Sequence, residues 1–255
     1  MTVNAFVVVA GLGEVGKPLF DLVSRFYKAT GVDIAVPGDD VEHIDVLHVC
    51  YPFRISNFVE ETARYIERFQ PKVTIINSTV AVGTTRRIAE RTHTAVVNSP
   101  VRGKHARMLS DLQNYTKFIG AIDPEDGAQA AHHFASLGLK TKVLSTPEAT
   151  ELAKLTETTY FGVLIAWAQE VERYCDKTGA QYEEVIAFYD EIDFFPAVKY
   201  FPGVIGGHCV MPNIEILRNF TESRLLEAVQ TSNQMKIERE ATNENAGEPA
   251  AVVAV

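Results

Sequence analysis

Phe6-Val7-Val8-Val9-Ala10-Gly11-Leu12-Gly13-Glu14-Val15-Gly16-Lys17-Pro18-Leu19-Phe20 is the stretch that decides the fold. A short β-branched run passes directly into G-x-G-x-x-G and then into a helix start, and that setting is what gives the glycine string its meaning. Gly11 permits a tight turn, Gly13 lets the backbone approach a pyrophosphate, and Gly16 lets helix and strand pack closely. Glu14 and Val15 stand at the helix entrance, where unpaired N–H groups and the positive end of the helix dipole face phosphate. The next apolar run, Thr30-Gly31-Val32-Asp33-Ile34-Ala35-Val36, brings an acid about twenty residues past the glycines. Asp33 there would accept hydrogen bonds from ribose hydroxyls and repel a 2′-phosphate, so the pattern favours NAD over NADP. Without the strand and the acid, the same glycines would describe only a tight turn.

Working outward, strand and helix patterns alternate: Asp45–Tyr51, a helix to about Phe69, Val73–Ser78, helix Thr84–Thr92, Thr94–Asn98, Lys117–Ala121, helix Pro124–Ser136 and Thr141–Leu144. Such alternation predicts an α/β, Rossmann-type, mainly parallel sheet with helices on both faces. Ligands sit at the carboxyl ends of its strands, which groups the glycines with Tyr51-Pro52, Ser78-Thr79 and Ser99-Pro100 along one crevice. The spacing then changes. Ser145-Thr146-Pro147-Glu148 reads as a helix start with Ser145 as cap, and a long helix runs from it to a stop near Thr178-Gly179. Glu151, Lys154 and Thr158 share one face of it, and on spacing alone Lys154 reads as a solvated lysine paired with Glu151. A second, all-helical domain follows, with a final helix near Thr221–Arg239. The domains expected are 1–145, 146–240 and a tail, 241–255, that lacks amphipathic period.

Between the helices lies Phe201-Pro202-Gly203-Val204-Ile205-Gly206-Gly207-His208-Cys209-Val210-Met211-Pro212-Asn213, a glycine- and proline-rich loop presenting His208 beside Cys209. Cys209 is the cysteine with a chemical reading, whereas Cys50 in an apolar strand and Cys175 in a long helix read as packing thiols. His208 and Cys209 alone lack the companions of a zinc site, so no metal is expected.

The 255 residues carry 24 Lys and Arg against 33 Asp and Glu, a formal charge of −9. That balance argues against a protein built to bind nucleic acid or an anionic membrane surface. The length fits one large or two small domains. No positively charged leader opens the chain and no apolar run nears the roughly 18 residues of a membrane span, which points to the cytoplasm.

Taken together, the strings resemble the UDP-glucose/GDP-mannose dehydrogenase family. The resemblance rests on Gly11–Gly16, Val32-Asp33-Ile34, Ser78-Thr79-Val80 with Gly83-Thr84-Thr85, and Ser99-Pro100, followed by Glu151-Leu152-Ala153-Lys154-Leu155, Thr159-Tyr160, Gln169-Glu170 and Gly206-Gly207-His208-Cys209. It implies NAD-dependent oxidation of a nucleotide-sugar alcohol to the acid, with Cys209 attacking the intermediate aldehyde and Lys154 stabilising oxyanion charge. It further implies cofactor binding by Gly11, Gly13, Glu14, Val15, Gly16, Asp33, Tyr51, Pro52, Ser78 and Thr79. Ser99, Pro100, Arg102, Gly206, Gly207 and His208 would hold substrate, and the long helix, with Leu152, Leu155, Val163, Leu164 and Trp167, would form a homodimer interface.

The sequence departs from the family at telling places. Thr158 stands where the family has Asn, Asn213 where it has Asp, Val101 where an acid follows Ser-Pro, Asn77 where Glu precedes Ser-Thr, and Phe53 where Thr follows the proline. Asn213 cannot act as a carboxylate base, so either oxidation stops at the aldehyde or Glu151 or His208 activates water instead. The chain also ends before the family's C-terminal nucleotide-binding domain. Three readings follow: a dehydrogenase acting on a sugar-like substrate, a two-electron dehydrogenase or reductase of a hydroxyacid substrate, and a non-catalytic dinucleotide-binding subunit.

Overall fold

A computed structural model describes residues 5–33, 43–103, 107–193, 201–207, 209–245 and 252–253. The chain divides into two compact units, Met1–Lys154 and Leu155–Val255.

The first unit holds a seven-stranded sheet: β1 (Phe6–Ala10), β2 (Lys28–Val32), β3 (Val46–Val49), β4 (Val73–Ile76), β5 (Val96–Asn98), β6 (Lys117–Ala121) and β7 (Thr141–Leu144). Their order is β2-β1-β3-β4-β5-β6-β7. Every neighbouring pair is parallel except β5 and β6. Five helices cover it: α1 (Gly16–Val23), α2 (Phe58–Phe69), α3 (Thr84–Thr92), α4 (Met108–Asn114) and α5 (Pro124–Ser136). Side chains of β1 alternate between two cores. Val7 and Val9 join Leu19, Leu22, Ile75, Val97 and Phe134, whereas Val8 and Ala10 join Leu47, Phe58, Ile66, Ile76 and Ile88. A strand covered on both faces is apolar at every position, which explains the unbroken Val7-Val8-Val9. Because β2 and β3 lie on opposite sides of β1, the connections diverge there and open a crevice at the carboxyl ends of β1 and β3.

The bounds of α3, α5, β6 and β7 are those the sequence indicates. Helix α4 was not foreseen, since seven residues are too few to display a helical period. Residues 34–36 of the expected second strand lie outside the described residues.

α6 (Pro147–Thr178) begins in the first unit and supplies Leu155 onward to the second. Its cap is Thr146 rather than Ser145. Pro147 takes the first helical position, which places the Thr146 hydroxyl to accept from Ala149 N at 3.2 Å. Gly179, with φ of +74°, ends the helix. The second unit adds α7 (Tyr182–Ala187), β8 (Val204–Ile205), α8 (Val210–Phe220), α9 (Arg224–Asn245) and β9 (Val252–Val253), the last pairing with β8. A Cβ at Gly162 of α6 would lie 2.8 Å from Val210 Cγ1 and 3.2 Å from Ile214 Cδ1, so this glycine is what lets α8 pack against α6. Helix α9 continues six residues past Arg239. Nothing in its sequence breaks it before Gly247, and Lys236 bonds Glu240 one turn on while also meeting Glu172 of α6. Among the described residues no helix is long and apolar enough to cross a membrane.

Candidate active site

The glycine loop answers to three different constraints. Gly11 has φ of +89° and donates to Val32 O at 2.8 Å, and a Cβ there would stand 2.6 Å from Tyr51 N. A Cβ on Gly16 would lie 1.7 Å from Gly11 O and 3.0 Å from Cys50 Cβ. Gly13 is the opposite case: exposed, with nothing within 4 Å of its Cβ position. The loop is therefore closed by its own chain at both ends and open in the middle, beside exposed Glu14 and the α1 N-terminus, where Val15 is the N-cap and no side chain caps the helix. Leu12 N donates to Asp33 Oδ2 at 2.9 Å, tying the loop to the end of β2. A cradle of this shape fits the pyrophosphate of a dinucleotide.

The other strand ends are braced by their own side chains. Ser78 Oγ donates to Tyr51 O at 2.6 Å and so joins the ends of β3 and β4. Tyr51 OH meets Thr62 Oγ1 at 2.6 Å, and burial pushes its phenol above the ordinary range. Pro52 O accepts from Ile55 N, and Thr79 is half-buried. At the end of β5, Ser99 Oγ donates to Phe118 O at 2.8 Å and Arg102 Nη2 to Thr116 O at 3.0 Å. The Arg102 guanidinium also lies 5.0 Å from the Phe118 ring centre and 5.5 Å from that of Tyr115. Pro100 is half-buried.

Glu151 plays a part its spacing did not suggest. It is buried, and its carboxylate accepts from Gly83 N at 2.6 Å, Thr85 N at 2.8 Å and Thr85 Oγ1 at 2.7 Å. It caps α3 from the far end of the sheet domain, buried rather than solvated. Burial pushes its carboxyl above the usual range, against the pull of those donors. Lys154, one turn on, is close enough to buried Lys117 at the β5 end to disfavour a second positive charge there.

In the second unit a buried amide network shapes the approach to Cys209. Gln169 Nε2 donates to Gly203 O at 2.8 Å, Ile205 N to Asn233 Oδ1 at 2.7 Å, and Ser232 Oγ to Gln169 Oε1 at 2.8 Å. Half-buried Gly206 and then Gly207, at φ of +79°, carry the chain onward. Cys209 is half-buried and is the N-cap of α8, with Asn213 N donating to its carbonyl at 3.1 Å. The loop thus ends four residues sooner than its prolines and glycines suggest, because Pro212 sits in a first helical turn that tolerates proline. A negative charge developing at a helix N-terminus meets the positive end of the dipole. Asn213 is buried on α8, and Thr158 is buried on α6. His208 lies outside the described residues. Cys50 and Cys175 are buried, and burial pushes the Cys50 thiol up to about 12, as befits packing thiols.

Sequence reasoning passed over Lys117 and Asn233, and marked Asn77 only as a departure from the family. The available signal was a charge or amide set inside an otherwise apolar pattern, as in Lys117-Phe118-Ile119-Gly120-Ala121.

Residues 148–235 match the family model described as UDP-glucose/GDP-mannose dehydrogenase family, central domain. A UDP-N-acetyl-D-mannosamine dehydrogenase of Methanococcus maripaludis is 25% identical over 201 residues, 78% of this chain and 46% of the relative. An NDP-N-acetyl-D-galactosaminuronic acid dehydrogenase of Ralstonia solanacearum is 30% identical over 124 residues, covering 48% and 29%. The solved UDP-D-ManNAc dehydrogenase from Pyrococcus horikoshii superposes with a TM-score of 0.82 at 21% identity, covering 93% of this chain and 70% of that one, and shares its fold. The chain spans about half the length, or less, of these curated relatives.

Proposed function

We propose that this chain, whose residues 148–235 match the central domain of the UDP-glucose/GDP-mannose dehydrogenase family, is an NAD-dependent dehydrogenase oxidising an alcohol carbon of a nucleotide sugar. The observation that carries the reading is the glycine loop, closed at Gly11 and Gly16 and open at Gly13. NAD held there would supply the hydride acceptor. The N–H groups from Gly13 to the α1 N-terminus would meet its pyrophosphate, Asp33 would meet its ribose, and Tyr51, Pro52, Ser78 and Thr79 would line its path.

Ser99, Pro100 and Arg102, with Gly206, Gly207 and His208, are assigned to the substrate. Lys154 stabilises the oxygen that gains negative charge as the carbon is oxidised. Cys209 would add to the intermediate aldehyde as a thiohemiacetal, loss of a second hydride to a second NAD would leave a thioester, and water would then release the acid and the free thiol. Thr158 and Asn213 stand beside these groups in sequence. Asn213 has no basic oxygen to take a proton from that water, so release is the slow step and NADH forms in a burst. Asn213→Asp is expected to raise the steady-state rate by about 10²-fold while leaving the burst amplitude unchanged. The stripe Tyr160, Trp167 and Tyr174, seven residues apart on α6 and each about half exposed, is assigned to a homodimer contact.

Thermal melting tests the cofactor assignment. NAD at about a hundredfold its dissociation constant should stabilise the protein by about 2.7 kcal/mol, and NADP should give little. UDP-N-acetyl-D-mannosamine is the first substrate to assay for NADH formation. No shift with either dinucleotide would overturn the reading.

A further inference from the structure

Lys117 opens β6 with its side chain inside the protein, only 4% exposed. Its ammonium donates to Ser99 O at 2.6 Å, Pro100 O at 3.4 Å and Asn77 Oδ1 at 3.5 Å, and stands 4.9 Å from the centre of the Phe134 ring. Among the described residues it meets no carboxylate. The surrounding titratable groups are Cys50 beyond β3, His48 on β3, Arg102 beyond β5 and Lys154 on α6, of which Arg102 and Lys154 are cationic. A buried ammonium without a counter-ion costs stability, and a methionine would fill the same space without that cost. The charge is therefore not explained by packing.

Its partners give a second explanation. The antiparallel ladder between β5 and β6 pairs Val97 with Ala121 and Asn98 with Gly120, and beyond Asn98 side chains take over. Three successive residues, Thr116 just before β6 and the first two of the strand, then hold the strand end: Thr116 O takes Arg102, Lys117 Nζ takes the carbonyls of Ser99 and Pro100, and Phe118 O takes Ser99 Oγ. The ammonium itself is aimed by a directed chain. Asn77 Nδ2 donates to Ile75 O at 3.1 Å and to His48 Nδ1 at 3.0 Å, which leaves Oδ1 to face Lys117. His48, accepting at Nδ1, carries its proton on Nε2 and donates it to His133 Nε2 at 2.9 Å. Burial holds both imidazoles below their ordinary pKa, His133 at about 4, so neither adds a competing charge at neutral pH.

We propose that Lys117 is a positioning residue, its ammonium fixing the Ser99–Pro100 strand end that forms the substrate side of the crevice. The assignment of that side to substrate rests on the function proposed above; the fixing of the strand end does not. Burial and the neighbouring cations lower the Lys117 pKa to about 7, so the clamp weakens as the ammonium loses its proton.

Two variants test it in the full chain, Lys117→Met and Lys117→Arg. Hydrogen–deuterium exchange of a peptide covering residues 96–103 should quicken about tenfold in Lys117→Met, the equivalent of one lost hydrogen bond, and recover at least in part in Lys117→Arg. NAD affinity should stay within about threefold of the wild type, while the KM for UDP-N-acetyl-D-mannosamine rises about tenfold with a smaller change in kcat. The inflection near pH 7 in kcat/KM should vanish in Lys117→Met. Unchanged exchange over 96–103 overturns the positioning role whether or not the protein turns over substrate. Unchanged KM and pH profile, with faster exchange, overturns the link to substrate. A wild type that neither binds NAD nor forms NADH instead overturns the proposed function and leaves the exchange result to decide the clamp.

Discussion

Gly13 and Gly16, three positions apart, should fail in opposite ways. Gly16→Ala forces a methyl into Gly11 O and should destabilise the fold by about 1–3 kcal/mol or more, visible as a lower melting temperature. Gly13→Ala meets nothing in the chain, so melting should hold while NAD affinity, read by calorimetric titration, falls about tenfold or more. Lys117 predicts a pH effect with a definite sign. Its folded pKa of about 7 lies below the ordinary 10.5. Across that window the unfolded chain holds a proton the folded chain has lost, so this group's contribution to stability rises with pH. The stability of Lys117→Met relative to wild type should therefore be greatest below pH 7 and decline towards pH 10, as urea unfolding at a series of pH values would show. A pH-independent difference would contradict it. The glycines were legible because their constraint is local, a turn and two close contacts within a few residues. Lys117 was not, because its partners at positions 77, 99 and 100 meet it only after the sheet has formed.

Among the elements, α3 depends on a cap 66 residues away in sequence, the Glu151 carboxylate. Glu151→Gln would replace one acceptor oxygen by an amide donor facing N–H groups, at a cost of about 1–3 kcal/mol. Exchange at the start of α3 should quicken with it, and normal protection there would contradict the capping role. Strands and helices with strong flanking signals, such as α5 between Asp123-Pro124 and Gly138, could be bounded from sequence because caps and breakers act within one turn. Helix α8 could not. Its start at Val210 depends on packing over Gly162 and on the Asn233 bonds to Ile205, both long-range. The same distance effect governs Leu155: read as an interface leucine on α6, it is fully buried within the chain, whereas Tyr160, Trp167 and Tyr174 carry the exposed stripe.

For the whole molecule, that stripe and the chemistry of Cys209 make separate predictions. Trp167→Glu should convert a micromolar dimer to monomer in sedimentation velocity, since a charge placed in a closely packed contact costs several kcal/mol; a wild type that is already monomeric would remove the interface assignment. Catalysis is tested most directly by the NADH formed per UDP-N-acetyl-D-mannosamine consumed, measured for wild type and Cys209→Ala. Two NADH per substrate with carboxylate as product, and no carboxylate from Cys209→Ala, is the result expected of a thioester route. One NADH per substrate in both proteins, at equal rates, would contradict it.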